Sequence, residues 1–196
     1  NTAKSKGALT SINHPFCSLT PWKWPMEGFD FNCVEVWAAP MRRDNLKNIE
    51  WWHNELIKGK KIVAVGGSDF HKNAFVFKLL AKPTTMVYCH SNTKQDILNA
   101  VRKGRVAIKK APNAPLIELN CNQFIMGDTV KLQKDTKLKV KVDKLKKKHI
   151  LTVLDKDGIL HEYQSNKTKS YEIELDIKKA GFVRAEIRYN AGILES

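Results

Sequence analysis

The sequence predicts an α/β unit followed by an all-β unit, and three observations carry that expectation. Up to about residue 110, short apolar runs alternate with stretches of helical period. Ala111-Pro112-Asn113-Ala114-Pro115 then breaks the pattern. Beyond it only strand-length runs and turns follow, with Lys137–Val142 alternating strictly between lysine and aliphatic residues. The expected domains are residues 1–110 and 111–196.

Ala8–Ile12 reads as a short strand that Asn13-His14-Pro15 closes, because Pro15 has no N–H for a central ladder. Phe31–Trp37 is a near-continuous apolar run and reads as a buried strand. Met41–Lys58 carries Leu46, Ile49, Trp52, Leu56 and Ile57 at helical spacing, and Gly59 ends it. Lys61–Val65 is the next strand, running into Gly66-Gly67. Thr85–Cys89 is another. Ser91 or Asn92 is expected to cap a helix holding Ile97, Leu98 and Val101, which Gly104 closes before the strand Arg105–Ile108. Such alternation implies a parallel sheet. In the second unit Lys137–Val142, Ile150–Leu154, Tyr171–Ile177 and Val183–Tyr189 read as strands, with turns at Asp157-Gly158 and Lys179-Ala180-Gly181. The expected architecture there is a small antiparallel β-sandwich.

The chain has 196 residues and 42% hydrophobic content, enough for a core. No apolar run approaches the ~18 residues that span a bilayer, so no membrane partner is expected. Asn1–Gly7 lack the apolar stretch of a signal peptide. Cys17, Cys33, Cys89 and Cys121 show no Cys-Xaa-Xaa-Cys spacing and read as reduced thiols, which points to a cytoplasmic protein. Net charge is +14; residues 1–110 hold 18 Lys and Arg against 8 Asp and Glu, and residues 111–196 hold 16 against 12. The excess could draw nucleic acid or phosphorylated substrates, or it could be a solvated surface whose acidic complement lies elsewhere. Lys144-Leu145-Lys146-Lys147-Lys148 reads as a solvated loop between strands.

The run Gly66-Gly67-Ser68-Asp69-Phe70-His71 carries the chemistry. Asp69 and His71 stand two apart, and on extended backbone both would point one way at a spacing of ~6.6 Å. A carboxylate and an imidazole together suit zinc, manganese or iron. His14 is placed at a strand end, where parallel α/β folds put their chemistry. Glu35 lies inside an apolar strand, so its burial needs a partner; it either supports a ligand or merely sits near the strand end. Asn13 could hydrogen-bond a ligand imidazole or be a turn asparagine. Ser68 could sit behind the ligands or cap the next segment. Trp22-Lys23-Trp24, beside prolines, could line the mouth of the site or pack on the fold.

Asn13-His14-Pro15, Val34-Glu35-Val36-Trp37 and Gly67-Ser68-Asp69-Phe70-His71, in that order, resemble the second half of a PHP (polymerase and histidinol phosphatase) domain, over roughly residues 5–110. Asn113-Ala114-Pro115 and Met126-Gly127-Asp128 are similar to the metallohydrolase branch with a β-domain behind the barrel. The resemblance implies part of a distorted (β/α)7 barrel in which His14, Asp69 and His71 are metal ligands, with Asn13, Glu35 and Ser68 behind them. It implies divalent metal ions, zinc, manganese or iron, and a metal-activated water attacking a small-molecule phosphoester or related ester. No side chain is assigned as a proton carrier. The family's His-Xaa-His motif has no counterpart before His14, so the chain is expected to be either a fragment, missing the N-terminal half of the barrel and inactive alone, or a degenerate relative. The alternative is a non-catalytic basic module that contacts nucleic acid.

Overall fold

A computed structural model describes residues 2–39, 41–71, 80–189 and 193–194. The chain divides into two compact units, Asn1–Pro112 and Asn113–Ser196. In the first, a four-residue helix α1 (Thr2–Ser5) precedes strand β1 (Ser11–Ile12). Strand β2 (Cys33–Ala38), helix α2 (Arg43–Ile57) and strand β3 (Val63–Gly67) follow. These strands form a parallel sheet in the order β1-β2-β3. Strands β4 (Thr84–Val87) and β5 (Val106–Lys109) pair antiparallel in a separate sheet, joined through helix α3 (Lys94–Lys103).

The expected partial (β/α)7 barrel is overturned. Strands make up 37% of the residues and helices 16%, in several small sheets with no closed barrel among the described residues. Two local causes are visible. The β1–β2 connection carries Pro15, Pro21, Pro25 and Gly28, which deny it a crossover helix. The α3 connection returns its strand antiparallel instead of parallel.

Polar residues share the inner side of helix α2 with apolar ones. Asn45, Asn48, Ile49 and Glu55 are its buried residues, and Ile57 is exposed. Helix α3 is capped by Thr93, whose side chain accepts from the Asp96 N–H, so the cap is neither Ser91 nor Asn92. Gly104 closes it at φ 77°, a left-handed conformation that glycine adopts without Cβ strain. Cys33, Val63, Val101 and Val106 form the shared core of this unit.

The second unit is built from two four-stranded sheets. One has the order β11 (Lys169–Asp176), β8 (Lys137–Leu145), β6 (Leu116–Cys121), β7 (Phe124–Ile125). The other has the order β10 (Gly158–Gln164), β9 (His149–Asp155), β12 (Arg184–Tyr189), β13 (Ile193–Leu194). All pairings are antiparallel. Leu138, Val140, Val142, Leu151, Val153 and Ile187, drawn from both sheets, share one apolar core. On β8 the intervening lysines face water and pair across the ladder: Lys139 with Glu172, Lys141 with Glu118, and Lys137 with Glu174 and Asp176. A one-residue slip would bury those lysines, so the register is strongly fixed. All four cysteines are free thiols. No described helix is long and apolar enough to cross a membrane.

Candidate functional site

The C-terminal ends of β1, β2 and β3 lie side by side, and each is followed by a non-glycine residue with left-handed backbone. These are His14 (φ 32°), Ala39 (φ 52°) and Asp69 (φ 51°). Each such conformation costs of order 1–3 kcal/mol and persists only where surrounding contacts impose it. At His14 the strain is compounded, because a residue before proline favours extended backbone. The contacts that impose it can be named. The His14 N–H donates to Glu35 Oε2 at 3.0 Å, and the His14 carbonyl accepts from Cys17 N at 3.0 Å. Ala39 N–H donates to the Gly67 carbonyl at 2.9 Å, tying the end of β2 to the end of β3.

Glu35 reaches this corner because β2 places it opposite Val65, with a register shift just beyond it. Its Oε1 lies 3.1 Å from where a Cβ on Gly67 would stand, so the carboxylate occupies the space glycine leaves. Burial pushes the Glu35 carboxyl above its ordinary 4.5. The charge and N–H of His14 pull it back, and the neighbouring Asp69 charge adds to the rise. Glu35 therefore joins His14 and Asp69 electrostatically. Beyond Asp69, His71 Nδ1–H donates to the Asp69 carbonyl at 2.7 Å and stands 3.5 Å from Asp69 Oδ1. That donation leaves the lone pair of the neutral ring on Nε2. Both His71 and Asp69 are exposed.

The six residues singled out from the sequence thus have definite places. His14 follows β1, Glu35 sits on the central β2, and Asp69 and His71 follow β3. Glu35 meets His14 and feels Asp69, and Asp69 meets His71. Asn13 is exposed beside His14, and Ser68 is half-buried beside Asp69. His14 Nδ1 is buried without a hydrogen-bond partner among the described residues, a donor atom of the kind a metal takes. The donor types, imidazole nitrogen and carboxylate oxygen, suit a borderline divalent ion. Among the described residues, however, no group of three or more His, Cys, Asp or Glu could hold a metal ion. The donors fit in kind and do not complete a cage.

The sequence reading missed how α2 serves this corner. Asp44 Oδ2 accepts the Ser18 N–H at 2.9 Å, and Asn48 Oδ1 accepts the Phe16 N–H at 3.0 Å. Asn45 brackets Ala38, accepting its N–H and donating to its carbonyl, each at 3.1 Å. The signal was present as Asp44-Asn45 and Asn48 on one face of the helix. Inside the loop so held, the N–H groups of Thr20 and Leu19 lower the Cys17 thiol below its ordinary value, against the effect of burial.

No protein-family model matches the chain, and no curated protein matches it. A solved structure of a two-domain protein from Bacteroides vulgatus, containing a predicted PHP-like metal-dependent phosphoesterase, aligns with a TM-score of 0.46 and 15% identity. The alignment covers 98% of this chain, which spans 60% of that one.

Proposed function

We propose that the ends of β1, β2 and β3 form one side of a metal-dependent hydrolase site of the PHP type, acting on a phosphoester or related ester. The observation that carries this reading is the left-handed backbone after each of the three parallel strands, holding His14 and Asp69 at one edge with His14 Nδ1 buried and without a partner among the described residues. The order of Asn13-His14-Pro15, Glu35 and Ser68-Asp69-Phe70-His71 along the chain supports it as well. His14, Asp69 and His71 contribute donor atoms, and the remaining donors come from outside this group. A bound divalent ion would supply a lowered water pKa and a clamp for developing negative charge. The chain's own part is to position. Glu35 holds the His14 backbone, and the hydrogen bond to the Asp69 carbonyl fixes the His71 tautomer with its lone pair on Nε2.

The test is zinc titration followed by the imidazole resonances of His14 and His71. Both should shift together, and Asp69→Asn should weaken the response at least tenfold. A His71 response without any His14 response contradicts the shared site.

A further inference from the structure

The second unit carries two populations of lysine with opposite fates. Along β8, Lys137, Lys139 and Lys141 are each neutralised by a carboxylate across the ladder. At the end of β8 the pattern stops. Lys146, Lys147 and Lys148 form the turn into β9, and Lys167 and Lys169 lie in and after the turn between β10 and β11. These two turns are far apart in sequence, and the backbone ties them together. Lys148 N–H donates to the Ser165 carbonyl at 2.8 Å, and Ser165 N–H donates to the His149 carbonyl at 2.8 Å. The buried His149 stiffens the first turn by accepting the Lys146 N–H on Nδ1 at 3.1 Å. Ser165 stiffens the second by donating to the Lys167 carbonyl at 2.6 Å. Lys146, Lys147, Lys148 and Lys167 are exposed. None of the five lysines has a described carboxylate within ion-pair distance; Asp143 leans toward Lys144 at 3.9 Å.

We propose that this end of the second unit binds the phosphate backbone of duplex nucleic acid. Its charges, set on hydrogen-bonded turns and without a described carboxylate partner, match a dense line of phosphates, whereas a stripe already paired with carboxylates would neutralise few of them. Single strands are the poorer match. Tyr163 and Tyr171 are near, with Lys169 Nζ 4.8 Å from the Tyr163 ring centre. Their rings, however, stack on each other at 3.8 Å and leave little face for an unpaired base. An anionic membrane is also the poorer match, because Leu145, the large apolar residue that ends β8 beside the first turn, is fully buried and offers nothing to insert. Binding should therefore be indifferent to base sequence.

The experiment measures affinity of the full chain for a fluorescent DNA duplex of mixed sequence across a salt series. Five phosphate contacts give a slope of log K against log salt of about −4 to −5. Lys146→Gln/Lys147→Gln/Lys148→Gln should reduce that slope by about 3 and the affinity at 0.1 M salt by about a hundredfold or more. The control Lys137→Gln/Lys139→Gln/Lys141→Gln removes the same charge from the paired stripe and should leave both nearly unchanged. The pair Lys147→Gln/Lys167→Gln takes one lysine from each turn, spares the hydrogen-bonded backbone and should lower the slope by about 2. Equal losses in the turn triple and the control overturn the proposal, because they reduce binding to net charge. So does tighter binding of single-stranded DNA, or of phosphatidylserine vesicles, than of the duplex.

Discussion

Removing the Glu35 carboxylate should loosen the His14 corner, and two substitutions separate its roles. Glu35→Ala deprives the His14 N–H of its acceptor at 3.0 Å in a half-buried place. An unsatisfied donor there costs about 1–3 kcal/mol. Part of that is recovered as the left-handed strain at His14, of order 1–3 kcal/mol, relaxes. The expected net loss is about 1 kcal/mol. Glu35→Gln keeps an acceptor oxygen while removing a charge that burial and Asp69 both oppose, so it should stay within about 1 kcal/mol of the parent. The pH dependence follows from the raised carboxyl. A folded-state pKa above the unfolded one means the group stabilises most below 4.5, and that contribution is lost as pH rises through the folded value. The gap between Glu35→Gln and the parent should accordingly move in favour of glutamine from pH 4 to pH 7. All five tryptophans lie in residues 1–110, so urea unfolding followed by tryptophan fluorescence reports on this unit. An alanine variant no weaker than the glutamine variant, or a gap that moves the other way with pH, refutes the clamp.

Gly66→Ala places a Cβ 2.7 Å from Ile108 Cγ2 and 3.1 Å from the Trp37 carbonyl, so it should cost about 1–3 kcal/mol. Adding Ile108→Ala should recover part of that loss in a double-mutant cycle. Leu151→Ala, at a fully buried core position, should cost about 2–5 kcal/mol, whereas Lys139→Ala on the solvent face of β8 should cost under about 1, both measured by denaturant unfolding. Hydrogen bonds from Lys156 and Lys179 hold the Asp157 carboxyl down at about 2. Lys179→Ala should raise that value toward 3.8 in an NMR titration. Asp157's contribution in the parent is present above 3.8 and fades as pH falls toward about 2.

Legibility in the sequence followed the strength of local signals. The alternation of Lys137–Val142 fixed which face of β8 is apolar, and Asp157-Gly158 marked the β9–β10 turn, because both depend on neighbours along the chain. Strand β10 went unread, since a register shift between Ile159 and His161 breaks its alternation. The helical spacing of Leu46, Ile49, Trp52, Leu56 and Ile57 located α2 but did not reveal the burial of Asn45 and Asn48, which loops need as hydrogen-bond partners. The barrel expectation rested on strand–helix alternation and on resemblance; neither registers that three prolines exclude a helix after β1. Around the candidate site, the strand-end positions of His14 and Asp69 and the place of Glu35 within its strand were legible. The left-handed backbone at His14 and Asp69 and the Glu35–His14 bond were not, because histidine and aspartate are only enriched at positive φ and the contacts that impose it come from distant residues.

The shared metal site is the claim most directly open to measurement, by anomalous scattering from crystals grown with zinc or manganese. A peak with His14 Nδ1 and an Asp69 carboxylate oxygen within about 2.0–2.2 Å is the expected result. A peak elsewhere, or none at millimolar metal, contradicts it.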